Sequence, residues 1–323
     1  MPTTRHDRAQ GPVLATHLEQ LREADAIMTF ASGEMRRART LRDEAIRSAV
    51  AAGLSLRQIG ASLGLSAQGV SATLDGQGAA YDTIGQTYAR TRQPDPRIRD
   101  AIWSALGDAD SVVNLGAGAG SYEPPQTILA VEPSMVMIAQ RPPELAPAAV
   151  TTADRIPLPD KSVDAALASL TIHHWSNLDA CFEEIRRVVR KRVVFFTWDH
   201  EATKSFWLGD YVPAIWELDA KVEVPIPWLC EQFHTSDVQV VPVPHDCLDG
   251  FLGAFWRRPE AYLDPVVRAG ISTLSRMDQA VLKAGMELLV EDLRSGAWRD
   301  RYGELLALEE LDLGYRLVVA ELH

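Results

Sequence analysis

Val112-Val113-Asn114-Leu115-Gly116-Ala117-Gly118-Ala119-Gly120, followed twelve residues later by Glu132-Pro133-Ser134, decides how the chain folds. An apolar run that stops at three alternating glycines reads as a buried parallel strand. Its carboxyl end lets the backbone pass close to a ligand, because no Cβ is tolerated there. Ile128-Leu129-Ala130-Val131 reads as the next strand, and Glu132 at its tip offers two acceptor oxygens suited to the two hydroxyls of a ribose. The pattern asks for a nucleotide-like cofactor. The dinucleotide fingerprint G-x-G-x-x-G would put its third glycine at Ser121, so that match fails. A pyrophosphate also needs the amino end of a full helix. Only the six residues Ser121 to Gln126 are available, and two of them are Pro124 and Pro125. A ligand without phosphates fits so short a crossover.

At these residues the chain resembles the class I S-adenosylmethionine-dependent methyltransferases, in particular the small-molecule branch of ubiquinone and sterol type. The likeness runs from about Tyr81 to Arg192 through five blocks in the expected order. Tyr81-Asp82-Thr83-Ile84-Gly85-Gln86-Thr87-Tyr88 with Arg92 comes first, then the Gly116 loop and Glu132-Pro133-Ser134. Ala153-Asp154-Arg155-Ile156-Pro157-Leu158 with Asp160 and Asp164 follows, and Ser169-Leu170-Thr171-Ile172-His173-His174-Trp175 closes the series. The resemblance implies an α/β fold with a seven-stranded doubly wound sheet, and S-adenosyl-L-methionine as cofactor. It implies methyl transfer by in-line displacement to an oxygen, nitrogen or carbon of a small molecule. No catalytic residue is obligatory for such a step, which needs donor and acceptor held close, aligned and dry.

Carried over by position, Gly116, Ala117 and Gly118 pass under the methionine part, Glu132 with Pro133 meets the ribose, and Ala153 with Asp154 borders the adenine. Many relatives have an aspartate where this chain has Asn114 or Thr152. Tyr88 and Arg92 match lid positions that face the cofactor carboxylate, a group well suited to an arginine fork. Ser169 and Leu170 fall beside the methyl group. His173 and His174 follow them and are candidates for a general base, since histidine titrates near neutrality; in relatives such a pair often only shapes the pocket. His245-Asp246 is a second candidate dyad, or else a capped strand end. Aromatics between Trp198 and Trp228, among them Phe206, Trp207, Tyr211 and Trp216, are read as core or as walls around a flat or cationic substrate.

The front of the chain is of another kind. Leu14, Leu18, Leu21 and Met28 have helical spacing, and a second helical stretch from Leu41 to Ala52 ends at Gly53. Leu54 to Leu74 resembles the helix-turn-helix of bacterial regulators, with Gly64 in the turn, Ser66 capping the second helix, and Ile59, Leu63, Leu65 and Val70 as shared core. The second helix offers Ser66, Ala67, Gln68 and Ser71 but no arginine or lysine for phosphates. DNA contact, partner docking and homodimer formation are all compatible with this segment. Asp75 to Ala80 reads as a linker, which gives an all-helical domain at 1–76 and a methyltransferase domain at 77–323. From Tyr81 onward strand and helix alternate. Strands are expected at 111–115, 127–132, 148–152, 163–169 and 192–198, with a terminal antiparallel pair at Val238–Val243 and Tyr315–Val319. Helices are expected from Asp95 to Leu106 and along the stripe Leu178, Cys181, Phe182, Ile185, Val188 and Val189. Substrate-cap segments are expected at about 200–235 and 246–305, the latter a helical insertion near the C-terminus.

Composition sets the remaining bounds. The 323 residues are 46% apolar and 24% charged, the balance of a globular protein with a large core. No apolar run reaches the length of a membrane span, and Met1 to Gly11 is polar, so a cytoplasmic protein is expected. Cys181, Cys230 and Cys247 are odd in number and scattered, which argues for reduced thiols and no metal. Of the net charge of −12, residues 1–75 contribute +1, with nine arginines against eight acids. The remainder carries 23 basic against 36 acidic residues, −13, and disfavours polyanions. Nucleic-acid methylation is also opposed by Ser169-Leu170-Thr171-Ile172. Amino-group modifiers place an acid or amide with two prolines and an aromatic there, and cytosine-carbon modifiers a cysteine. The alternatives are a helix-turn-helix regulator that uses the fold as a ligand sensor, and a peptide methyltransferase with the helical domain as docking module.

Overall fold

The computed structural model describes residues 42, 45, 46, 48–63 and 92–322. The chain divides into two compact units at Gly76/Gln77. In the first unit helix α1, Leu56–Leu63, opens with a capping box: the Ser55 N–H donates to Gln58 Oε1 at 3.0 Å, and the Gln58 N–H donates back to Ser55 Oγ at 3.4 Å. Ile46 and Ile59 are buried against each other with Leu56 beside them. Gly53 ends the preceding helix at φ +89°. The helix expected before residue 41, the second helix of the helix-turn-helix, the linker and Tyr88 lie outside the described residues.

The second unit is a seven-stranded sheet in the order β3-β2-β1-β4-β5-β9-β6. Its strands are β1 (Val112–Leu115), β2 (Thr127–Val131), β3 (Ala148–Ala149), β4 (Val163–Ser169), β5 (Val189–Trp198), β6 (Asp237–Val240) and β9 (Tyr315–Glu321). A separate antiparallel pair joins β7 (Val243–Pro244) to β8 (Glu310–Leu311). The first five strands run parallel, and β9 lies antiparallel between β5 and β6. Alternation along the strands splits the core by sheet face. Val112, Ala165, Leu167, Val194 and Phe196 face α2 (Pro96–Ala105), which buries Ile98 and Ile102. Val113, Ala166, Val193 and Phe195 face α3 (Leu178–Val188) and α4 (Ile226–Phe233) through Phe182, Ile185, Leu229 and Phe233. The result is a doubly wound α/β unit.

Helix boundaries follow their caps. Asp95 accepts from the Arg97 N–H ahead of Pro96, and Asn177 accepts from the Ala180 N–H. Two strand assignments differ from the sequence reading. The stretch read as one strand from Val238 to Val243 breaks after Val240, because Pro242 has no N–H to continue a ladder, and Val243 pairs with β8 instead. The strand read from 148 to 152 keeps only two residues, since Thr151 folds back to donate to the Ala149 carbonyl. Between β8 and the end of β7 the chain is helical, with α5 (Gln279–Ser295) its longest element. Trp207, Trp256, Tyr262 and Trp298 pack together beneath it. The indole N–H groups of Trp207 and Trp256 donate to the Trp256 and Val243 carbonyls, so these aromatics are core. Among the described residues no helix is long and apolar enough to cross a membrane.

Candidate active site

Register brings five strand ends to one edge. Leu115 lies beside Val131 and Ala168, Ser169 beside Phe196, and Trp198 beside Tyr315. Strand order reverses between β1 and β4, the place where open parallel sheets leave a crevice for a ligand.

Beyond β1 the backbone turns through Gly116 at φ +62° and Gly118 at φ +53°. A Cβ on Gly116 would lie 1.9 Å from Thr171 Oγ1, so the chain leaving β4 holds this bend bare. The Gly118 N–H donates to Glu132 Oε2 at 2.8 Å, and the Ser134 N–H to Oε1 at 2.7 Å. One lone pair on each oxygen remains for two hydroxyl donors. Burial pushes the Glu132 carboxyl up, and the Ser134 and Gly118 bonds pull it back without cancelling the rise. Ala153 is buried, Asp154 beside it is half-buried and accepts from the Thr152 hydroxyl, and Pro133 is exposed. Residues 116–126 contain turns and no helix, so no helix amino end is present to take a pyrophosphate. A bare bend, a carboxylate with spare lone pairs and no phosphate seat fit a nucleoside that carries no phosphate.

The bend is braced from below by Asn114 together with Glu123 and Arg141, two residues the sequence reading did not single out. Glu123, 6% exposed, takes two 2.8 Å bonds from Arg141 Nη2, one from the Ala146 N–H and one from Asn114 Nδ2 at 2.9 Å. An aspartate at 114 would set one carboxylate against another here. The amide is the donor that this position needs.

A pocket adjoins the bend along the same edge. Leu170, His173, Trp198 and Tyr315 form its sheet side, and Thr203, Asp219 and Val222 enter from the segment after β5. Phe251, Thr273 and Arg276 come from the helical insertion, and Arg92 completes the wall. Arg92 donates to Asp249 through Nε at 2.5 Å and Nη2 at 3.3 Å. Asp249 is fully buried and also receives the Tyr122 hydroxyl at 2.8 Å, which ties the insertion to the turn after Gly120.

A methyltransferase domain model matches residues 113–197. A solved structure from Anabaena variabilis, described as a methyltransferase from an antibiotic biosynthesis pathway, is 38% identical with a TM-score of 0.66. The match covers 71% of this chain and 98% of that one. The chain belongs to the class I S-adenosylmethionine-dependent methyltransferases. A tRNA (carboxymethyluridine(34)-5-O)-methyltransferase of Schizosaccharomyces pombe is 23% identical over 159 residues, 47% of this chain and 67% of that protein. Similarity to enzymes of this kind does not favour a regulator that only senses a ligand.

The methyltransferase brings Gly116, Ala117, Gly118 and Glu132 together, and sets Ser169 and Leu170 at the neighbouring strand end. Leu170 is held at φ +50° by its N–H bond to the Phe196 carbonyl at 2.7 Å. His173 and His174 sit in the turn after β4 with ring centroids 3.7 Å apart, and His173 packs edge-on to Trp198 at 4.6 Å. Burial pushes His173 well below the usual histidine range, assisted by His174, Arg276 and Arg92; burial and Arg276 push His174 down to about 3. Both imidazoles are neutral at physiological pH, and both resist taking up a proton. His245 is not brought to the pocket. It lies beside β7, its Nδ1 3.4 Å from Glu309, while Asp246 pairs with Arg97. His245 Nδ1 stays 4.0 Å from Asp246 Oδ1, so the two residues of the dyad remain adjacent but lie outside the pocket lining. Arg92 meets Asp249, a partner 157 positions away that no local signal announces. Cys181 and Cys247 are buried, with thiols pushed up to about 12 by burial. Among the described residues no cluster of histidine, cysteine or carboxylate side chains could hold a metal.

Proposed function

We propose that the chain is a small-molecule methyltransferase whose acceptor enters the pocket between the strand ends and the two cap segments. The observation that carries this reading is the pocket itself. It shares an edge with the Gly116 bend, and its roof comes from residues far from the cofactor elements. In this reading Glu132 accepts from the two ribose hydroxyls, with Pro133 beside it, and the Gly116–Gly118 backbone passes under the methionine part. Ala153 and Asp154 border the adenine, and Ser169 and Leu170 line the reacting end. When bound, S-adenosylmethionine supplies a methyl carbon on a cationic sulfur. The acceptor's lone pair forms the new bond to that carbon while the carbon–sulfur electron pair stays with sulfur.

What the residues contribute is placement and dryness. Leu170, Trp198, Phe251 and Tyr315 keep water out, and the buried Arg92–Asp249–Tyr122 contact fixes the roof to the glycine turn. A small acceptor is also favoured over tRNA by the −13 charge of residues 76–323, with 23 basic against 36 acidic side chains. Calorimetric titration with S-adenosylhomocysteine tests the cofactor assignment, with micromolar binding expected for the full chain and weakened binding for Glu132→Gln. Absence of binding by the native protein would remove the assignment.

A further inference from the structure

On the premise that the proposed function holds, one side chain of the pocket narrows the acceptor further. Ile215 and Asp219 stand four positions apart on the helix Ala214–Ala220, which puts both on its inward face. Ile215 is fully buried there, and Asp219 is 6% exposed at a position that would otherwise suit an apolar residue. Its carboxylate makes no ion pair with any described residue. Oδ1 accepts from the Thr273 hydroxyl at 2.9 Å, which orients the group. Oδ2 has no hydrogen-bond partner among the described residues, and it is not sealed from the pocket that Asp219 lines. A buried carboxylate held by one neutral bond is costly, and an asparagine would hold Thr273 as well. The open oxygen calls for a donor from outside the chain.

The charges that line the pocket balance. Arg92 is met by Asp249, and Arg276 stands against Asp219. A charged acceptor finds no surplus there to neutralise it, whereas a neutral one that carries an O–H finds Oδ2. Leu170, Trp198 and Phe251 offer that molecule apolar and aromatic walls. His200, Glu223, Arg276 and Tyr315 are the ionisable groups that act on Asp219 at longer range. Burial pushes its carboxyl up, and the Thr273 bond, His200 and Arg276 only partly offset the rise. A carboxylate so placed is matched to an acidic hydroxyl rather than to an aliphatic alcohol.

We infer that Asp219 is the base of the reaction, and that the acceptor is a neutral phenol or enol whose O–H donates to Oδ2. The acceptor oxygen forms its bond to the methyl carbon with a lone pair, and the carbon–sulfur pair stays with sulfur. The O–H proton passes to Oδ2 while its bonding pair stays on oxygen. One negative charge on Asp219 and one positive charge on sulfur vanish together, leaving a methyl ether, a thioether and a protonated carboxyl. That carboxyl returns its proton to water once the product has left.

The probe 4-nitrophenol tests the assignment without turnover. At a pH about one unit above its own pKa the free probe is mostly phenolate. It is titrated into the full chain saturated with S-adenosylhomocysteine, by calorimetry in two buffers of different ionisation enthalpy. Binding is expected to take up about one proton per molecule bound, because the site admits phenol and carboxylate with one proton between them. Asp219→Asn is expected to bring the uptake close to zero while S-adenosylhomocysteine affinity stays within about twofold. A merely structural aspartate would leave the uptake unchanged on substitution. Uptake near zero in the parent, failure of 4-nitrophenol to bind the loaded parent, or uptake surviving in Asp219→Asn would each overturn the inference. Those results would leave the cofactor assignment intact. Failure of S-adenosylhomocysteine itself to bind would instead remove the premise.

Discussion

Around Glu132 the hydrogen bonds join residues 2 and 14 positions apart, whereas the side-chain bonds to Asp249 reach across 127 and 157 positions, beside one local bond from the Gly250 N–H. The first set is made with backbone N–H groups that the β1 and β2 turns present whatever the rest of the chain does. The second set exists only once the helical insertion has packed against the glycine turn and the segment before α2. One half of the edge is thus local and backbone-built. The other is a long-range assembly of side chains.

That contrast can be broken at four points. The largest effect is expected at Asp249. Asp249→Ala leaves the Arg92 guanidinium and the Tyr122 hydroxyl without their buried partner, and should cost about 3–5 kcal/mol in urea unfolding of the full chain. Replacing Arg92 by leucine in the same chain should return part of the loss, and no recovery would show that the ion pair is not the source.

Gly116→Ala comes next. Its left-handed φ and the 1.9 Å approach of Thr171 Oγ1 together predict a loss of about 2–4 kcal/mol, since an L-residue is strained there even without the clash. Adding Thr171→Ala should recover the steric share and leave about 1 kcal/mol for the backbone share. Equal losses in the single and double variants would mean that the strand-four chain does not press on the bend.

Glu132→Gln separates binding from stability. S-adenosylhomocysteine affinity should drop by about 1.5–3 kcal/mol, the value of hydrogen bonds to a charged group. Stability should change with pH. Burial holds the folded carboxyl above its unfolded pKa, so the native form loses stability as pH rises through the window between the two values. The amide sets an NH₂ against one of the two backbone donors, so the variant should be less stable than the parent in acid, with part of that deficit recovered as pH rises to neutral. Melting curves across pH check the sign.

The smallest effect is expected at His173. With its ring already neutral and disinclined to take a proton, His173→Gln should lower kcat by less than about tenfold, below the usual contribution of a general base. The pH profile should keep its shape. A loss of several hundredfold with a changed acid limb would make this histidine a base after all.

Much of the fold was legible because its signals are local. The buried runs at β1, β4 and β5, the stripe from Leu178 to Val188 and its Asn177 cap follow from periods of two and 3.6 residues. The glycine bend and Glu132 were legible for the same reason. Asp249, Asp219 and Arg276 were not, because an aspartate in a bend or a helix, or an arginine after a helix, looks the same in sequence whether it faces water or a pocket. The aromatics from Phe206 to Tyr211 were ambiguous for a related reason: their density announces burial, and only packing against Trp298 and Tyr262 settles them as core. The break after Val240 did have a local signal in Pro242, outweighed in the sequence reading by the apolar run around it.

The placement of β9 between β5 and β6 bears on how the polypeptide matures at the ribosome. Residues 189–198 and 237–240 are made long before 315–321, the segment that pairs with the inner edge of one and completes the ladder of the other. Until residues 315–321 emerge, a nascent chain would expose the apolar stretch from Val193 to Phe196 as an open sheet border. Deletion of residues 315–321 should therefore yield aggregates rather than a weakened enzyme.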